Sequence, residues 1–122
     1  MRLAVPAFLC ALVAATSAVR AGGDVDKGRT LAQKHCSRCH VVGDFNRHGG
    51  IDSTPSFQAL VTYRPDWEDR FRTFYVRPPH PVYVRVAGLP KASNAPPYAT
   101  PFEVTLDDIE NLVAFVGTLR QR

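Results

Sequence analysis

Cys36-Ser37-Arg38-Cys39-His40 is the stretch on which the reading of this 122-residue chain turns. Thiols at i and i+3 share one side of a helical turn. At that spacing they can add to the two vinyl groups along one edge of a porphyrin, while the adjacent histidine swings under the ring to ligate iron. The string therefore marks c-type haem attachment. Three other uses of a Cys-x-x-Cys pair need weighing: a disulfide between Cys36 and Cys39, a thioredoxin-like redox pair, and half of a zinc site. A zinc site would want further ligands at comparable spacing, and the chain offers no second cysteine pair of this kind. A thioredoxin-like pair follows a strand in a βαβ pattern, whereas the residues before Cys36 read as helix. The expectation is one covalently bound haem c per chain, held at Cys36 and Cys39, with His40 on the iron.

Working toward the N-terminus, Asp24 is placed to cap a helix whose apolar and small residues Val25, Gly28, Leu31, Ala32 and His35 recur at i, i+3, i+4 and lead into the string. Further back, Met1-Arg2, the apolar run from Leu3 to Ala15 and small residues up to Ala21 have the three-part layout of a secretory signal peptide. The run is too short to span a bilayer. Cleavage after Ala21 is expected, with Ala18 the nearest rival, giving a leader over 1–21 and a single domain over 22–122. Cys10 leaves with the leader. Export to the periplasm or beyond suits covalent haem, and no second apolar segment offers a membrane anchor. The formal charge of +4 shrinks once Arg2 and Arg20 are removed, so basicity is weak support for a nucleic-acid or anionic-membrane partner. A domain of about 100 residues buries only about 60–70% of its unfolded surface and usually needs a staple. Covalent haem would supply it.

Toward the C-terminus, Thr54-Pro55-Ser56 is placed to start a short helix with Phe57 and Leu60 inward, and Pro65-Asp66 to start another carrying Trp67, Phe71, Phe74 and Tyr75. Seven of the ten prolines fall between Pro78 and Pro101, which predicts a long extended loop. Thr105 with Asp108 three residues later reads as a capping box, opening a helix with Ile109, Leu112, Val113, Val116 and Leu119 on one face. Asp107, Asp108, Asp66, Glu68 and Asp69 sit in first helical turns, where carboxylates suit the positive helix end and do not form an acid/base dyad. The chain is not expected to be an enzyme.

The order of helix, Cys36-x-x-Cys39-His40, Thr54-Pro55 turn, small helices and final amphipathic helix resembles a class I monohaem cytochrome c over nearly the whole segment after the leader. The resemblance implies an all-α fold of three to four short helices around one haem, with a proline-rich distal loop. It also implies thioethers at Cys36 and Cys39, His40 as proximal ligand, a hydrogen bond from the other ring nitrogen of His40 to the Pro55 carbonyl, and a close crossing of Gly28 with Phe115. The family's distal ligand is normally a methionine in a string like Met-Pro-Pro-Phe; here the equivalent string is Ala99-Thr100-Pro101-Phe102, and the single methionine is Met1. His80, between prolines in the loop expected to cross the distal face, is the first candidate replacement. His48, in the segment that wraps the proximal side in the resembling fold, and Lys91, Asn94 and Tyr98 follow. An open or water-filled sixth site is the remaining option.

That choice separates functions. A second histidine makes a six-coordinate electron carrier between a redox donor and acceptor, of lower potential than a His/Met centre. An open site makes a binder of a small gaseous ligand or peroxide. A third reading, the cytochrome subunit of a periplasmic dehydrogenase, differs in having a stable partner. Arg64, Arg70, Arg72, Arg77, Arg85 and Lys91 are candidates for propionate pairing, for docking an acidic partner, or for plain solvation.

Overall fold

The structure, a computed structural model, describes residues 22–121. The expected leader lies outside them. Helix α1 spans Val25–His35, α2 Phe57–Tyr63, α3 Trp67–Arg72 and α4 Leu106–Gly117; single 3₁₀ turns occupy Phe74–Val76 and His80–Val82. Short strands β1 (Val84–Val86) and β2 (Phe102–Val104) pair in parallel, Val84 opposite Phe102 and Val86 opposite Val104. No helix among the described residues is long and apolar enough to cross a membrane.

Both terminal helices start where their side chains dictate. Asp24 accepts from the backbone N–H groups of Asp26 and Lys27, satisfying donors that a helix start leaves free. Thr105 and Asp108 close a reciprocal capping box at the start of α4. These helices then cross at contact distance. A Cβ on Gly28 would stand 1.9 Å from the Asn111 carbonyl oxygen and 2.9 Å from Phe115 Cβ, so only glycine lets α1 come this close. Gly28→Ala would push the helices apart.

The apolar stripe of α4 meets α1, α2 and α3 in one cluster containing Ala32, Val61, Phe71, Leu112, Phe115 and Val116. The valine, leucine and phenylalanine side chains here, when fully buried, each contribute about 1.5–3 kcal/mol of hydrophobic stabilisation. A second cluster, Val84, Val86, Val104 and Ile109, lies beneath the strands. The fold is thus a small, mostly helical one, as expected, with two local departures. The aromatic helix stops at Arg72 because the Thr73 hydroxyl donates to the Asp69 carbonyl at 2.6 Å, so Phe74 and Tyr75 fall in a separate 3₁₀ turn. The proline-rich stretch is also not all loop. Its residues Val84–Val86 carry no proline and alternate buried, exposed, buried, which suits a strand over the second cluster.

Candidate haem site

The C-terminal end of α1 runs straight into the cysteine string. Cys36 N–H donates to Ala32 O at 2.9 Å, and Cys39 and His40 N–H both return to Cys36 O, at 3.1 and 2.9 Å. The two thiols are free and half-buried. Burial, with Cys39 beside it, pushes the Cys36 thiol up to about 12. Among the described residues no group of three or more His, Cys, Asp and Glu side chains is placed to hold a metal ion.

The segment after His40 is folded back against the string. Asn46 does most of this: its amide nitrogen donates to Ser37 O and to His40 O, both at 2.9 Å, and its carbonyl oxygen accepts from Val42 N–H at 2.7 Å. Ile51 N–H donates to Cys39 O at 3.0 Å. Gly50, at φ +75°, makes the turn between them; a Cβ there would sit 3.0 Å from the Cys39 oxygen. Sequence reading does not single out Asn46, since nothing local distinguishes it from an ordinary loop asparagine.

His40 Nδ1 donates to the Pro55 carbonyl at 2.7 Å, as the resemblance implied. His80 Nδ1 donates to the Arg77 carbonyl at 2.9 Å. A neutral imidazole that donates through Nδ1 carries its lone pair on Nε2. Burial holds both rings below the ordinary histidine value, against the opposing carbonyl hydrogen bonds, and so favours that neutral form. The two rings are parallel to within 6°, their centroids 6.2 Å apart. Metal–imidazole bonds of about 2.0–2.1 Å, with half a ring on either side, span about 6 Å. Phe57 lies against His40 at 5.1 Å, while Phe74 and Tyr83 stand edge-on to His80 at 5.3 and 5.9 Å.

The remaining candidates do not join this pair. His48, Lys91 and Asn94 are exposed. Tyr98 is exposed too, packing on Tyr83 at 5.8 Å. His35, at the end of α1, stacks on Phe102 at 4.4 Å. The arginines are mostly answered from within: Arg70 by Asp66, Arg72 by Glu68 and Glu110, Arg77 by Asp69, and Arg85, at 3.9 Å, by Glu103. That pairing weakens the case for a continuous basic docking face.

The cytochrome c family model matches residues 25–120, from the first residue of α1 to beyond the end of α4. The chain belongs to the cytochrome c family. It is also 29% identical over 108 residues to cytochrome c-552 of Bradyrhizobium diazoefficiens, covering 88% of this chain and 86% of that one. No solved structure matches it significantly. Membership makes this protein a monohaem cytochrome with covalently attached haem c that acts in electron transfer. The residues fit that group: free thiols at the attachment spacing, and two parallel imidazoles whose 6.2 Å centroid separation is compatible with a metal between them.

Proposed function

We propose that this cytochrome is an exported single-electron carrier, with Cys36 and Cys39 as thioether positions, His40 as proximal ligand and His80 as distal ligand. The observation that carries the reading is the pair of parallel imidazoles 6.2 Å apart, each fixed through Nδ1 to a main-chain carbonyl. The haem supplies the one-electron couple. The protein's own contribution is to orient both rings, keep them neutral and exclude water around them. Each carbonyl bond draws on the Nδ1 proton and makes the opposite nitrogen a stronger donor, which favours ferric iron. With imidazole in place of the family's thioether, the potential is lower than that of a His/Met centre. Two nitrogen ligands also leave no coordination position for a small molecule, which favours electron transfer over gas binding.

The leader over residues 1–21 directs the chain to the periplasm, so its donor and acceptor are periplasmic redox proteins. Expression with the leader, fractionation and voltammetry test the reading together. The expected result is periplasmic holoprotein beginning at Gly22, with one reversible one-electron wave below that of a methionine-ligated family member. Cytoplasmic retention, or rapid carbon monoxide binding by the ferrous protein, contradicts it; the latter indicates the five-coordinate ligand binder instead.

A further inference from the structure

On the reading that His80 ligates iron, we propose that Arg77 is the positioning residue for that ligand, a bracket between α3 and the imidazole. Its side chain grips the end of the helix. Nε donates to Thr73 Oγ1 at 2.8 Å and a terminal nitrogen to Asp69 Oδ2 at 2.7 Å, while the Thr73 hydroxyl itself donates to the Asp69 carbonyl. Its main chain grips the ligand. The Arg77 carbonyl accepts both from the His80 backbone N–H at 3.0 Å and from His80 Nδ1 at 2.9 Å.

The two grips meet in one residue, whose backbone N–H also donates to Phe74 O at 2.9 Å. Arg77 lies between two 3₁₀ turns, each a single turn with the poorer hydrogen-bond geometry of that helix. His40 differs, since its acceptor Pro55 lies beside the buried start of α2. Anchoring Arg77 to Asp69 and Thr73 ties the carbonyl, and through it the imidazole plane, to a helix packed in the main core. The Arg77 and Asp69 side chains are 39% and 66% exposed, so the ion pair stabilises the fold only slightly. Its consequence is local: when the carbonyl shifts, the ring turns and the Nε2 lone pair leaves the iron more often.

Arg72 provides the internal control. It pairs with Glu68 on α3 and with Glu110 on α4, ion pairs of the same kind with no link to His80. The measurement is carbon monoxide uptake by the ferrous holoprotein at saturating gas, where release of the sixth ligand limits the rate. Losing one hydrogen bond and one ion pair, Arg77→Gln should react about three- to tenfold faster than wild type. Asp69→Ala should show about a two- to threefold gain, since it removes the ion pair alone. Arg77→Lys should fall between Arg77→Gln and wild type. Arg72→Gln should match wild type, and His80→Ala should be high-spin and bind at once.

Wild-type rates in Arg77→Gln and Asp69→Ala beside a high-spin His80→Ala overturn the bracket and leave the ligand assignment standing. Equal acceleration in Arg72→Gln also overturns it, because the effect is then general loosening. An unchanged spectrum in His80→Ala overturns the ligand assignment and the bracket with it. If Arg77→Gln gives no holoprotein, Asp69→Ala decides alone.

Discussion

His40 and His80 make the same kind of bond, Nδ1 to a main-chain carbonyl, yet their acceptors differ in origin. The acceptor of His40 is Pro55, reached across a loop that Asn46, Gly50 and Ile51 fasten to the cysteine string. The acceptor of His80 is Arg77, three residues before it in the same run of short turns. The proximal ring is therefore oriented by tertiary structure. The distal ring is oriented by local backbone, secured secondarily by a surface ion pair, and the His80 carbonyl accepts from Tyr83 N–H just before β1 at 3.0 Å. One side of the site is rigid by construction, and the other is held by contacts that can be loosened singly.

The most severe break to the proximal side is Cys36→Ala with Cys39→Ala, after which acid-acetone should extract the haem completely; haem that stays with the protein contradicts the thioether assignment. Next comes Asn46→Ala, which removes three hydrogen bonds. The net cost at such bonds is about 0.5–1.5 kcal/mol each, so about 2–3 kcal/mol of holoprotein stability should be lost in denaturant unfolding. A loss under about 0.5 kcal/mol would show that the proximal loop does not depend on it. On the distal side, Val84→Ala cuts into the small cluster under the strands, where Val84 is 3% exposed. That should cost about 1–2 kcal/mol, and should quicken carbon monoxide uptake, which Asn46→Ala should not. Equal effects of the two substitutions on uptake would erase the difference between the halves.

Acid gives the mildest test. Burial lowers both His40 and His80 below the ordinary value of 6.5. Above that value both folded and unfolded forms are neutral and stability is undiminished; as pH falls below it the unfolded chain takes up protons that the folded protein refuses, and stability declines. Holoprotein stability in denaturant unfolding should hold above pH 6.5 and decline as pH falls below it. Stability that rises as pH falls through that value would contradict half-buried imidazoles kept neutral in the fold.

The proximal half was largely legible in the sequence, because its signals are local or carried by a family pattern. Asp24 and the Thr105–Asp108 box sit next to the helices they start, and the cysteine string carries its chemistry in five consecutive residues. The distal half was legible only in part. His80 stood out as a candidate, but its approach to His40 depends on packing between segments far apart in the chain. The β1–β2 pairing joins residues on either side of the proline-rich loop, a contact that no local pattern announces. Thr73 ends α3 with a side-chain bond that competes with the helix, and propensity alone would have carried the helix on to Tyr75. The arginines read as candidates for propionate pairing, docking or solvation, yet beside the local Glu68 the carboxylates that answer Arg72 and Arg85 lie farther along the chain at Glu110 and Glu103.

The central claim, that iron lies between His40 and His80, is tested most directly by the low-temperature EPR spectrum of the ferric holoprotein, for wild type beside His80→Ala. With imidazole planes 6° apart, both rings act on the same iron d orbital, and the wild type should give a rhombic low-spin signal. His80→Ala should turn high-spin. A high-spin wild type, or a low-spin signal unchanged by the substitution, would contradict the assignment.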